Sequence, residues 1–191
     1  MHRFARFSLS VVLLVFAGCK NDGGNLSSID LFKKKMLEQL VFVEGGTFQM
    51  GDVGYTDEDG DFRYFTGDAD VHPVHAVTLT SYSIQTHEAT FSDYDLFTRI
   101  VGGELVLKKY RSEIYTGPDY PADGMTWFRA RDYCKWLGEQ IGYSMDLPTE
   151  AQWEYAARSR GKAVAHATDN GDIEYGVNYR DPRKLWHAMP V

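Results

Sequence analysis

Hydrophobic and polar positions along this chain follow two periods, and the switches between them mark out its elements. Ile29, Phe32, Met36 and Leu40 recur at helical spacing with Lys and Glu between them, which predicts an amphipathic helix from a Ser28 cap to about Leu40. Val41 to Gly51 then reads as two short strands around Gly45-Gly46. That pair predicts a hairpin turn, with Gly51 closing the second strand. Residues 52–70 are an acidic, Gly-containing loop. Val74 to Ile84 has strand character, with Val77, Leu79 and either Tyr82 or Ile84 facing inward.

Helical spacing returns at Phe91, Tyr94, Phe97 and Ile100 or Val101. Thr90 or Ser92 is the cap, and Gly102-Gly103 is the stop. Residues 104–123 show no regular pattern. Thr126 is placed to cap a helix from Trp127 to Gly142, whose apolar face is Ala130, Tyr133, Cys134, Trp136 and Leu137. After Pro148, Thr149 caps a further helix from Glu150 to Arg158. Acids in its first turns complement the helix dipole, and Glu150 and Glu154 support Arg158 at helical spacing. Beyond Arg160 the chain is polar, Gly-rich and irregular. Short strands, a few helices and long loops, without βαβ alternation or repeats, indicate an α+β fold with little regular secondary structure.

Composition changes this picture little. The 191 residues are 43% hydrophobic and 14% aromatic, enough for one cored domain. A net charge of −7 and the lack of a Lys/Arg stripe exclude nucleic acid as a partner. The Lys33-Lys34-Lys35 run is read as a solvated helix face. Asp57-Glu58-Asp59-Gly60-Asp61 fails the EF-hand spacing and is read as a solvated loop.

The first residues do change the picture. His2, Arg3 and Arg6 precede the apolar run Ser8 to Phe16, which is too short to span a bilayer and has the layout of a secretory signal over residues 1–18. Phe16-Ala17-Gly18-Cys19 resembles a bacterial lipobox, with Phe where Leu is usual. The expectation is cleavage before Cys19, lipidation (palmitate and related acyl chains) of that cysteine, and membrane attachment through an N-terminal lipid. Lys20 after the cysteine favours the outer membrane, facing the periplasm of a bacterial envelope. Residues 19–40 then comprise the lipidated cysteine, a Gly/Asn/Ser tether and the amphipathic helix, and the domain occupies 41–191.

Candidate chemistry is sparse. His72 and His75 stand three apart on a strand, which splays them to opposite faces and makes them poor co-ligands; His75 is read as structural. Cys134 lies mid-helix on the apolar face, with no cation or helix N-terminus to activate it. No catalytic residue is assigned.

Several runs carry a family resemblance. They are Phe42-Val43-Glu44-Gly45-Gly46-Thr47-Phe48-Gln49-Met50-Gly51, then His72 to Leu79, then Pro121 to Trp127 leading to Ala130-Arg131-Asp132-Tyr133-Cys134-Lys135-Trp136. The last is Leu147-Pro148-Thr149-Glu150-Ala151-Gln152-Trp153-Glu154-Tyr155-Ala156-Ala157-Arg158. Together, in this order, they resemble the sulfatase-modifying-factor (formylglycine-generating-enzyme-like) family. The resemblance implies a C-type-lectin-like core that is incomplete at its C-terminus. It gives Glu44, Gly45, Gly46, Met50, Gly51, His75, Trp127, Cys134, Trp136, Pro148, Thr149, Glu150, Trp153, Glu154 and Arg158 the role of structural motif residues. It places Asn178 and Tyr179 near a calcium position of some members, and Cys134 where some members pair with a downstream cysteine. The copper-binding cysteines of catalytic members belong to a later region, so copper is expected only if a further C-terminal part supplies them.

The expected function is therefore a lipid-anchored, non-catalytic envelope protein that uses the domain for recognition or assembly with an unidentified envelope partner. Two alternatives stay open: a fragment of an oxidase that converts a target cysteine to formylglycine, and a cation- or carbohydrate-binding module.

Overall fold

A computed structural model describes residues 27–103, 117–164 and 166–179. The signal, Cys19 and most of the tether lie outside these residues, as does much of the stretch read as irregular between Gly103 and Gly117.

The helices form where pattern and caps agree. Helix α1 spans Ser28–Glu38 and is capped one residue earlier than expected: the Ser27 hydroxyl, not Ser28, accepts the Asp30 N–H at 3.3 Å. Helix α2 spans Phe91–Val101. Thr90 and Asp93 exchange backbone N–H bonds through their side chains in a capping box. Helix α3 spans Trp127–Ile141 under the Thr126 cap and stops at Gly142, whose φ of 80° is left-handed. Helix α4 spans Glu150–Ala157, boxed by Thr149 with Gln152.

One core joins the first three helices. Phe32 and Met36 of α1, Tyr94 and Phe97 of α2, and Tyr133, Trp136 and Leu137 of α3 are buried together. The rings of Phe97 and Tyr133 meet edge-on at 5.7 Å, and Phe32 lies 5.2 Å from Trp136. Lys35 of α1 adds a bidentate bond to the buried Asp93 carboxylate, at 2.9 and 3.0 Å, fixing α1 on α2.

The strands correct the hairpin reading. Strands β1 (Leu40–Val43) and β2 (Gly46–Met50) do not pair with each other. The expected Val74–Ile84 strand splits into β5 (His75–Leu79) and β6 (Tyr82–Gln85), and pairing runs β1 with β6 and β2 with β5. The register is continuous: it steps by one residue on each side from Leu40↔Gln85 to Met50↔His75. Residues 40–50 and 75–85 are thus one long antiparallel ribbon with an interruption at its middle. Gly45 sits at that interruption. A Cβ there would lie 2.3 Å from the Leu79 carbonyl oxygen and 2.7 Å from Ser81 N, so the glycine permits a close crossing, not a turn.

The loop of this ribbon holds a small hairpin of β3 (Tyr55–Thr56) and β4 (Phe62–Arg63). Asp57, in the acidic stretch, accepts the N–H groups of Asp59 and Asp61 and the Arg63 Nε at 2.8 Å. The acids there shape a turn. A single 3-10 turn, Ala69–Val71, leads into β5.

Candidate functional site

Helix α4 closes over the ribbon interruption, and this junction holds most of the motif residues. Tyr155 is buried, packs 5.1 Å from the Phe48 ring, and its hydroxyl donates to the Glu44 carbonyl at 3.2 Å. Gly46 makes room for that hydroxyl, which would lie 2.7 Å from a Cβ. One turn on, Arg158 is buried. Its Nη1 donates to Glu154 Oε1 at 2.5 Å and to the Gln49 carbonyl at 2.9 Å, and its Nε donates to the Lys162 carbonyl at 2.9 Å. Glu154 also accepts the Gly51 N–H at 3.0 Å. The expectation that Glu150 shares this task is corrected: Glu150 is exposed in the first turn, and Glu154 alone joins Arg158. The cluster is a clamp between α4 and the end of β2, with Nε and Nη1 of Arg158 bonded within the fold.

A second cluster lies where β2 leaves the ribbon. Asp52 is buried and accepts the N–H groups of Gly54 at 2.9 Å and Thr66 at 2.8 Å. Burial pushes its pKa up, but these bonds, another from Phe65 and the nearby His72 outweigh it, and the net shift is downward. The His72 ring lies 4.1 Å from that of Tyr64, tilted by 58°, and the peptide from His72 to Pro73 is cis. His75 is exposed on β5, with Nδ1 3.0 Å from the Pro73 carbonyl oxygen. No group of three or more His, Cys, Asp and Glu arranged to hold a metal occurs among the described residues.

Asn178 and Tyr179 stand in a self-bonded loop. The Asn178 amide nitrogen donates to Asp169, Asn170 and the Asp172 carbonyl at 3.0, 3.0 and 3.1 Å, and its oxygen accepts the Glu174 N–H at 2.8 Å. The Tyr179 carbonyl accepts the Gly176 N–H at 2.7 Å.

A concavity that no sequence motif announced lies elsewhere. A cleft of about 810 Å³ opens between β6, the segment leading into α2, and one side of α3 with the loop after it. Leu137, Met125 and Met145 supply apolar walls, and Trp153 and Tyr143, both more than half exposed, stand at its margin. Cys134 lines it, half-buried; burial, with the Asp146 carboxylate, pushes its thiol up to about 11. Asp146 itself is tied bidentately to Arg131 at 2.8 and 3.0 Å. The hydroxyls of Tyr94 and Tyr133 and the Oε1 of Gln85, all on cleft-lining residues, are buried without a hydrogen-bond partner among the described residues. Trp127 and Phe128 at the start of α3 are also exposed, at 57% and 73%.

The chain is 33% identical over 143 residues to the serine/threonine-protein kinase Pkn1 of Chlamydia trachomatis, a match covering 66% of this chain and 20% of that protein. It is 22% identical over 174 residues to the formylglycine-generating enzyme of Mycobacterium tuberculosis, covering 64% of this chain and 52% of the enzyme. The solved structure of PvdO from Pseudomonas aeruginosa is similar with a TM-score of 0.48 and 24% identity, over 63% of this chain and 47% of that one. The chain therefore spans about a fifth to a half of the relatives it matches. The sulfatase-modifying factor enzyme 1-like domain model matches residues 27–188, and the chain belongs to that family.

Proposed function

We propose that this protein is a lipid-anchored bacterial envelope protein whose sulfatase-modifying-factor-like domain serves recognition or assembly and not oxidation. The state of Cys134 carries the reading. Cys134 is the free cysteine among the described residues, and its burial in an apolar wall pushes its thiol up to about 11, which keeps it protonated. A thiolate is the form that attacks or binds a soft metal, and nothing cationic adjoins this sulfur to produce one. Asp146, the charged group beside it, is committed to Arg131, and the Glu154–Arg158 pair elsewhere in the domain clamps β2. An apolar-walled cleft with a few buried polar groups is suited to binding. The layout of residues 1–19 supports the anchor.

Two measurements test this. The Cys19→Ala variant, expressed in a Gram-negative host, is expected to lose palmitate labelling and leave the membrane fraction; unchanged attachment contradicts the anchor. Copper-loaded full-length protein is expected to leave a cysteine-containing peptide unmodified. Formation of the peptide aldehyde would instead establish the oxidase reading.

A further inference from the structure

Helix α1 is the described element nearest to Cys19 along the chain, and it is built into the core. Its Phe32 and Met36 are 5% and 3% exposed, and Ile29, in the first turn, packs against the same cluster. At the other end Gln85 Nε2 donates to the Met36 carbonyl at 3.0 Å, and the Thr86 N–H donates to the Gln39 carbonyl at 2.9 Å. Between these points Lys35 reaches Asp93, whose side chain is 6% exposed. The same Asp93 carboxylate accepts the Thr90 N–H at 3.1 Å in the cap of α2. Undocking α1 would leave that carboxylate buried without its cation, which is costly. The attachment therefore runs from the first turn of α1 to its last, and no turn is left over as spacer.

Chain length then limits how far the domain can stand from a lipid. Ser27, the cap of α1, is eight residues from Cys19. Whatever their conformation, eight residues span at most about 29 Å. If α1 were spacer instead, the stretch from Cys19 to the start of β1 at Leu40 would be 21 residues, with a reach of up to about 75 Å.

We propose that docked α1 makes the anchor a short leash. A lipid on Cys19 holds the Ser27 end of the folded domain within about 29 Å of the bilayer, and the domain works in the layer next to the membrane. What it recognises must be displayed in that layer. This deepens the lipid-anchored reading above and rests on it.

The test uses the lipidated full-length protein on a supported bilayer of phosphatidylethanolamine and phosphatidylglycerol. Neutron reflectometry reads the gap between the headgroups and the protein layer, and hydrogen exchange on vesicles of the same lipids reads the α1 amides. The native gap is expected to be below about 29 Å. The α1 amides are expected to be as protected on vesicles as those of α2 and α3. Inserting 20 Gly/Ser residues between Gly24 and Asn25, which leaves the fold untouched, is expected to move the layer outward by about 10 Å. A native gap beyond the leash, unprotected α1 amides in the bound protein, or the same gap with and without the insertion overturns the proposal. Absence of any protein layer refutes the anchor and the leash with it; a layer farther out than about 29 Å refutes the leash alone.

Discussion

Glu154 and Arg158, one turn apart on α4, form a 2.5 Å ion pair that also holds the end of β2, through the Gly51 N–H and the Gln49 carbonyl. A surface pair at this spacing contributes a few tenths of a kcal/mol. This one differs because the Arg158 side chain is only 10% exposed and its donors satisfy backbone carbonyls from two other segments.

Arg158→Ala should therefore be costly. It leaves the Gln49 and Lys162 carbonyls and the Glu154 carboxylate short of donors, with a loss of about 2–4 kcal/mol. Arg158→Lys restores the charge but not the forked geometry, and should recover less than half of that loss. Urea unfolding midpoints of the two variants measure this; a change within about 0.5 kcal/mol for Arg158→Ala would mean the clamp is ornamental.

Gly45 makes a different kind of demand. Gly45→Ala places a methyl group 2.3 Å from the Leu79 carbonyl oxygen, a backbone atom that cannot swing away. The ribbon must part at its middle, at a cost of about 1–3 kcal/mol. Faster amide exchange in β1 and β6, in addition to a lower melting temperature, is the expected signature. An unaltered exchange pattern would refute the close crossing.

Cys134 should be sluggish. With its thiol pushed up to about 11, only a trace is thiolate at pH 8. Iodoacetamide should modify it roughly a hundredfold more slowly than free cysteine, with the rate still rising above pH 10. Mass spectrometry of the peptide containing residue 134 reads the rate site by site. Labelling as fast as for a free thiol would remove the main support for a non-catalytic domain.

Asp52 links the fold to acid. Its folded pKa is depressed, so the folded state binds its proton more weakly than the unfolded chain does. Its contribution is present above the unfolded value near ~3.9 and disappears as pH falls through the folded value. Stability should decline below about pH 4, and the decline should be shallower in Asp52→Asn, which should also be less stable at neutral pH. Denaturant melts between pH 3 and 7 give both slopes; identical slopes exclude Asp52 as a cause.

The helices were legible in the sequence because their determinants are local. Thr90, Thr126 and Thr149 cap where the apolar spacing starts, and Phe32, Tyr94, Phe97 and Trp136 fill the core that the spacing assigned them. The family was legible because its motif runs survive as runs. What the sequence misplaced was long-range. Gly45-Gly46 has the composition of a turn, but pairing of β1 and β2 with the distant strands β6 and β5 converted it into a crossing point. Glu150 and Glu154 look equivalent as acids near the start of α4, and only the arrival of β2 beneath α4 chose Glu154. The cleft beside β6 left no local trace, because it is made where separate elements fail to meet. Period, cap and charge are fixed by neighbours in the chain; partner, edge and cavity are fixed by which distant segments pack, and that was decided only in three dimensions.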